Sequence, residues 1–150
     1  MEKIIIVFSL FCFSYAYAQN TNITINSDLN LTCKFDKVIL KNPDHNFETF
    51  SNNQVKRADI NKLRIESRTP NILKVKNLSE FIDKIELEVK ISNKDIVLIQ
   101  AFDEERNYSE SAVYTIKTSE LIHEITTNIK QDQKEKDISF YTCRNINKNK

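Results

Sequence analysis

Ile85-Glu86-Leu87-Glu88-Val89-Lys90-Ile91 alternates apolar and charged residues without a slip. Successive side chains of an extended strand point to opposite faces, so this stretch predicts a strand with one buried face and one wet face. Asn93-Lys94-Asp95 then supplies turn-forming residues, and residues 96–102 form an apolar run that suits a strand buried on both faces. A tight turn between two strands makes their pairing antiparallel.

The same periodicity recurs on both sides. Upstream, Leu29, Leu31, Cys33 and Phe35 alternate with Asn30, Thr32 and Lys34. Val38 and Leu40 continue the pattern after a parity change at Asp36-Lys37, which predicts a bulge. Asn42-Pro43-Asp44-His45-Asn46 reads as a turn, and residues 51–57 are polar. A second strand is expected over 60–65, stopped near Thr69-Pro70, and a third around Leu73 and Val75. Leu78, Phe81, Ile82 and Ile85 fit helical spacing and predict a short helical turn at 79–83. Downstream, Asp103 to Asn107 forms an acidic turn, and Ala112, Tyr114 and Ile116 alternate again. Leu121, His123, Ile125, Thr127 and Ile129 read as a strand, although Leu121, Ile122, Ile125 and Ile129 also fit a helix. The β-branched Thr126 and Thr127 favour the strand. Residues 131–137 are expected as a charged loop and 138–143 as the last strand. The fold class that follows is all-β: an antiparallel meander of about seven or eight strands forming a small barrel or sandwich.

The chain has 150 residues and a net charge of +1, which suits a single domain. It contains no glycine. That excludes the Gly-rich phosphate loops of nucleotide enzymes and the GxSxG elbow of hydrolases. Charges of both signs interleave along the sequence, which argues against a nucleic-acid partner. The abundance of Ile, Lys and Asn is that of an AT-rich genome.

Met1-Glu2-Lys3, an apolar run at 4–13 and the Ala16-Tyr17-Ala18 pattern predict a signal peptide cut between Ala18 and Gln19. The expected plan is a cleaved signal over 1–18, a flexible lead-in over 19–28, a single β domain over 29–144 and a disordered tail over 145–150. No second apolar run reaches membrane length, so a periplasmic or secreted product without stable membrane insertion is expected. Cys33 and Cys143 then remain, and an isolated pair in an oxidising compartment predicts a disulfide. Closing so much of the chain into one loop stabilises by roughly 4–5 kcal/mol on chain-entropy grounds. The bridge would staple the first strand to the last.

Chemistry-bearing motifs are sparse. His45 lies in a predicted turn and His123 in a predicted strand, and neither has a second ligand at zinc spacing. Asp103-Glu104-Glu105 is followed by Arg106 and lacks the alternating ligands and turning glycine of a calcium loop. Four Asn-x-Ser/Thr sequons occur, at Asn22, Asn30, Asn77 and Asn107, and read as by-products of an Asn-rich composition. No catalytic residue, metal ligand or cofactor site is expected from these patterns.

The export signal, Leu29-Asn30-Leu31-Thr32-Cys33-Lys34-Phe35, the meander and the late Tyr141-Thr142-Cys143 resemble small exported β-proteins of AT-rich Gram-negative bacteria. More distantly the layout is similar to periplasmic C-type lysozyme inhibitors, small β-barrels with a cysteine near each end. The resemblance implies a β fold and a disulfide. It carries over no inhibitory residue, because the Ser/Tyr-Gly loop of those inhibitors has no counterpart in a chain without glycine. The leading expectation is a non-enzymatic exported domain that binds a protein or a small ligand. An inhibitor of a secreted hydrolase such as lysozyme is the alternative, with 42–57 and 103–110 as its loops. A hydrolase is the third reading. Clustering of His123 or His45 with carboxylates in a concave site would raise it, and their separation on the surface would lower it.

Overall fold

In the computed structural model, residues 28–69, 72–92 and 96–146 are described. The predicted signal peptide, its cleavage site at Ala18–Gln19, most of the lead-in and the last four residues lie outside them. The described residues form an all-β fold with nine strands: β1 (Leu29–Lys41), β2 (Asn46–Ser51), β3 (Ile60–Thr69), β4 (Ile72–Lys76), β5 (Leu87–Ser92), β6 (Ile96–Asp103), β7 (Tyr108–Thr115), β8 (Glu120–Thr127) and β9 (Glu135–Asn145). From β3 to β9 each strand pairs antiparallel with the next, and β9 returns to pair with β1. That pairing curls the sheet back onto its own first strand.

β1 is the hub. Its first half pairs with β3, from Leu29↔Ile65 to Cys33↔Ile60, and its second half with β2, from Lys37↔Ser51 to Lys41↔Asn46. The other edge pairs with β9 along almost its whole length. The bulge expected at Asp36-Lys37 is present, as a register shift against β9 between Phe35 and Lys37. Backbone groups in the gap between β3 and β2 still need partners. The loop after β2 supplies them: Phe35 N–H donates to Asp59 Oδ1 (2.9 Å), Asn52 N–H to Asp36 O (3.0 Å) and Asn52 Nδ2 to Phe35 O (3.2 Å).

Alternation places Leu31, Cys33, Phe35, Leu63, Leu73, Val75, Leu87, Ile99, Ala112, Tyr114, Leu121 and Tyr141 in the core. Cys33 and Cys143 sit opposite each other in register and are bridged, so the disulfide ties the first strand to the last inside the core. The helical spacing at 78–85 resolves as a 3-10 turn, Ile82–Lys84, which buries Ile82 under one end of the sheet. The ambiguous 119–130 segment is strand β8.

Several boundaries differ from the sequence reading. The strand read from Ile85 begins at Leu87, because Ile85 caps the 3-10 turn, and β7 and β8 end at Thr115 and Thr127, short of Ile116 and Ile129. β2 was expected as part of a polar loop at 42–57. Its side chains are exposed apart from the half-buried Phe50, so no apolar alternation announces it, and β1 pairing alone makes it a strand. The loop expected at 131–137 ends earlier, because β9 begins at Glu135 opposite Thr127. Tail residue Asn145 belongs to β9, opposite Leu31.

Candidate functional site

The interior has two halves. Around the disulfide it is apolar and filled; the void between Leu63, Val75, Ala112, Tyr114 and Leu121 is only about 10 Å³, room for about one water. Toward the β6–β7 turn the inward positions become polar. Ala112 and His123 are opposite each other in register, so Glu110, two residues along β7, shares the inward face with His123. Glu110 is 1% exposed and His123 is 7% exposed. A buried carboxylate is costly unless it is hydrogen-bonded, and Glu110 is. His123 Nε2 contacts its Oε1, Tyr108 Oη donates to its Oε2 (2.7 Å), and the Ser79 hydroxyl also bonds to it. Burial pushes the Glu110 carboxyl up, but the hydrogen bonds from His123, Ser79 and Tyr108 and the His123 charge outweigh it and hold the group below the usual carboxylate range. Burial, then the bond and charge of Glu110, raise the Tyr108 phenol well above its usual range.

Tyr108 leads outward from this cluster. Its ring packs edge-on against Phe81 (5.1 Å between centroids). Both line a cavity of about 500 Å³ at this end of the sheet, together with Ser79, Glu80, Lys84, Ile85, Asp103 and Arg106. Two segments build it: residues 79–85, which carry the 3-10 turn, and the β6–β7 turn. The latter is held firmly. Asp103 Oδ1 accepts from Arg106 N–H (3.0 Å), Asn107 Oδ1 accepts from Lys130 N–H (2.8 Å), and Lys130 Nζ reaches Glu104 O (3.0 Å). The rim charges are balanced, with Glu80 and Asp103 against Lys84 and Arg106.

A second polar cluster fills the neighbouring inward positions of β9. Arg57, from the loop before β3, donates to Ser139 Oγ (2.9 Å) and pairs with Asp137, and Ser139 Oγ donates to Asp137 Oδ1 (3.1 Å). Ser139 is buried and opposite His123 in register.

Of the two histidines weighed from the sequence, the structure sets His123 on a buried carboxylate and His45 on an exposed one, away from the cavity. His45 bonds Glu48 Oε2 (3.0 Å) and packs on Phe50, on the partly exposed β1–β2 hairpin. The acidic run at 103–105 is a hairpin turn, as read. Asn77 and Asn107 occupy left-handed backbone positions, and both amide side chains bond to the protein (Nδ2 to Lys62 O, 2.8 Å; Oδ1 from Lys130 N–H). Sequence reasoning missed Ser79, Tyr108 and Glu110. The signal was available for Glu110, a charged residue in phase with Ala112 and Tyr114 on the buried face. Among the described residues, no three His, Cys, Asp or Glu side chains gather to hold a metal ion. None of the helices described is long and apolar enough to cross a membrane.

Comparison with family models, with curated proteins and with solved structures finds no match to this chain.

Proposed function

We propose that this is an exported, non-enzymatic β-domain that binds a small ligand at the polar end of its sheet. The observation that carries this reading is the cavity whose wall includes Tyr108, with the Tyr108 hydroxyl anchored on the buried Glu110. Because that hydroxyl donates inward, its oxygen faces the cavity as an acceptor for a ligand donor. Phe81 and Ile85 offer apolar surface, and the paired rim charges suit both ends of a zwitterion. The ligand class is therefore a small zwitterionic molecule with an apolar or aromatic body.

The order of the buried groups supports binding over catalysis. A hydroxyl nucleophile needs a base beside it, oriented by a third group. Here the carboxylate is in the middle, with the Tyr108 hydroxyl on one oxygen and His123 on the other, and the Ser79 hydroxyl also bonded to it. A carboxylate held below its usual range is also a weak base near neutrality.

Ligand-detected NMR against a panel of free amino acids and short peptides tests the proposal. Binding is expected from an aromatic member and is weakened at least about tenfold by Phe81→Ala, the loss of one well-packed aromatic contact. A panel without binders, or binding indifferent to Phe81→Ala, overturns it. Inhibition of a secreted hydrolase is the second reading, favoured by the rigid acidic turn at 103–107. It predicts protection of the substrate of a basic enzyme such as lysozyme, abolished by Glu104→Lys/Glu105→Lys.

A further inference from the structure

The sequence Lys62-Leu63-Arg64-Ile65-Glu66-Ser67-Arg68 mixes charges along the chain, but a strand sorts them by face. Lys62, Arg64, Glu66 and Arg68 all lie on the outer side of β3, while Leu63 and Ile65 turn inward. β4 adds Lys74 and Lys76, with Arg64↔Lys76 and Glu66↔Lys74 in register. On the far side of β1, Arg144 of β9 sits opposite Thr32, also outward and exposed. Six cations thus share one curved wall in a chain whose net charge is only +1. Asp28 and Glu86 lie at the margins, and beside Arg144 Asp36 accepts from Thr142 Oγ1 (2.6 Å) and Glu120 sits opposite Thr142. Among the β3 and β4 cations lies Glu66, almost buried beneath Arg64 (3.0 Å), Arg68 (2.9 Å) and Lys76 (3.5 Å). One carboxylate cannot neutralise three cations, so it fixes them in place and leaves an excess of positive charge. The β-ladder spaces the cations about 5 Å apart across strands and about 7 Å along them.

We infer that this wall is a second binding surface, separate from the cavity, for a linear acidic polysaccharide. The spacing matches a polyanion with a charge on successive sugars, and Arg forks bind sulfate or carboxylate through two parallel bonds. Exposed large apolar side chains among the described residues are Phe47 on β2, Phe102 on β6 and Ile146 past the end of β9, none between these cations. Among the described residues, no fully exposed ring or large apolar side chain lies between these cations to stack bases or anchor in a bilayer. The choice of a glycan rests on export, since an exported chain meets acidic polysaccharides. Binding in vitro is read independently of export and of the cavity.

The test compares dextran sulfate with uncharged dextran, anionic phosphatidylglycerol vesicles and duplex DNA as probes of the whole protein at fixed salt. Tight, salt-sensitive binding to dextran sulfate alone is expected. The fourfold variant R64Q/E66Q/R68Q/K76Q removes two net positive charges without leaving a buried carboxylate unpaired. It should weaken binding by about tenfold or more through lost counterion release. The charge-matched control K117Q/K134Q should change it less than about twofold on the same electrostatic grounds. If the fourfold variant fails to fold, K62Q/R144Q spares the Glu66 cluster and should weaken binding in the same direction. Equal losses in wall and control variants, no binding to dextran sulfate, or preference for vesicles or DNA would overturn the inference.

Discussion

At the scale of single residues, the polar half of the interior rests on protonation states. The three tyrosines among the described residues, Tyr108, Tyr114 and Tyr141, are all pushed upward. Burial leads in each case. Glu110 adds to it at Tyr108, while bonds to Ser119 and Ser139 offset it at Tyr114 and Tyr141. A raised phenol favours the folded state while protonated. That contribution is whole below the ordinary phenol value of about 10 and is lost as pH climbs through the raised values. In the chain from Gln19, tyrosinate absorbance should therefore stay flat past pH 10 and rise together with loss of circular dichroism. Normal titration of one phenol in folded protein would contradict this. Glu110 has the opposite sign. Its carboxyl is depressed from 4.5, so its contribution is whole above 4.5 and is lost as pH falls through the lower folded value. Replacing it with Gln should lower stability at neutral pH by about 1–3 kcal/mol, the loss of charged hydrogen bonds, and flatten the acid limb of a melting-temperature profile. The absence of glycine is also felt here. Left-handed backbone falls to Phe47, Lys62, Asn77, Asn107, Ser119 and Asn128, and asparagine tolerates that region best because its amide can bond locally.

At the scale of elements, legibility followed burial contrast. β7 and the first half of β1 alternate sharply and were readable as strands with their faces assigned, and β5 was readable as a strand. β2 was not, because its side chains are mostly wet and only its backbone partner defines it. The site was less legible than the fold. Tyr108, Glu110 and His123 come from two strands, and Ser79 from a third segment. Only the Ala112↔His123 register brings them together, and no spacing in the sequence encodes it. The strands also differ in how firmly they are joined. Among the described residues, β8 and β9 share eight register pairs, whereas β4 and β5 share two, Ile72↔Glu88 and Leu73↔Leu87. Local opening follows the weakest ladder. Native-state hydrogen exchange should therefore release the β4 and β5 amides at low opening free energy, with β1, β8 and β9 exchanging only by global unfolding. Uniform protection across the sheet would show that the 3-10 turn beneath β4 compensates for the missing ladder.

At the scale of the whole molecule, the two halves of the interior divide the work. The apolar half, tied by the Cys33–Cys143 bridge, holds a void of only about 10 Å³ among the described residues. The polar half opens to the cavity and keeps Glu110, His123 and Arg57 in their geometry. If a ligand binds at the cavity, damage to one half should be separable from damage to the other. Leu63 is fully buried and lines the small void; Leu63→Ala enlarges it and should cost about 2–5 kcal/mol, because a packed β-wall collapses only in part around a deletion. Phe81→Ala sits at the cavity, is half-buried, and should cost much less while removing ligand binding. Urea midpoints and ligand titrations on the two variants check this together. Loss of stability without loss of affinity in the first, and the reverse in the second, is the pattern that two independent halves require. Parallel losses in both would mean that the cavity is shaped by the core rather than by the 3-10 turn and the β6–β7 turn at its rim.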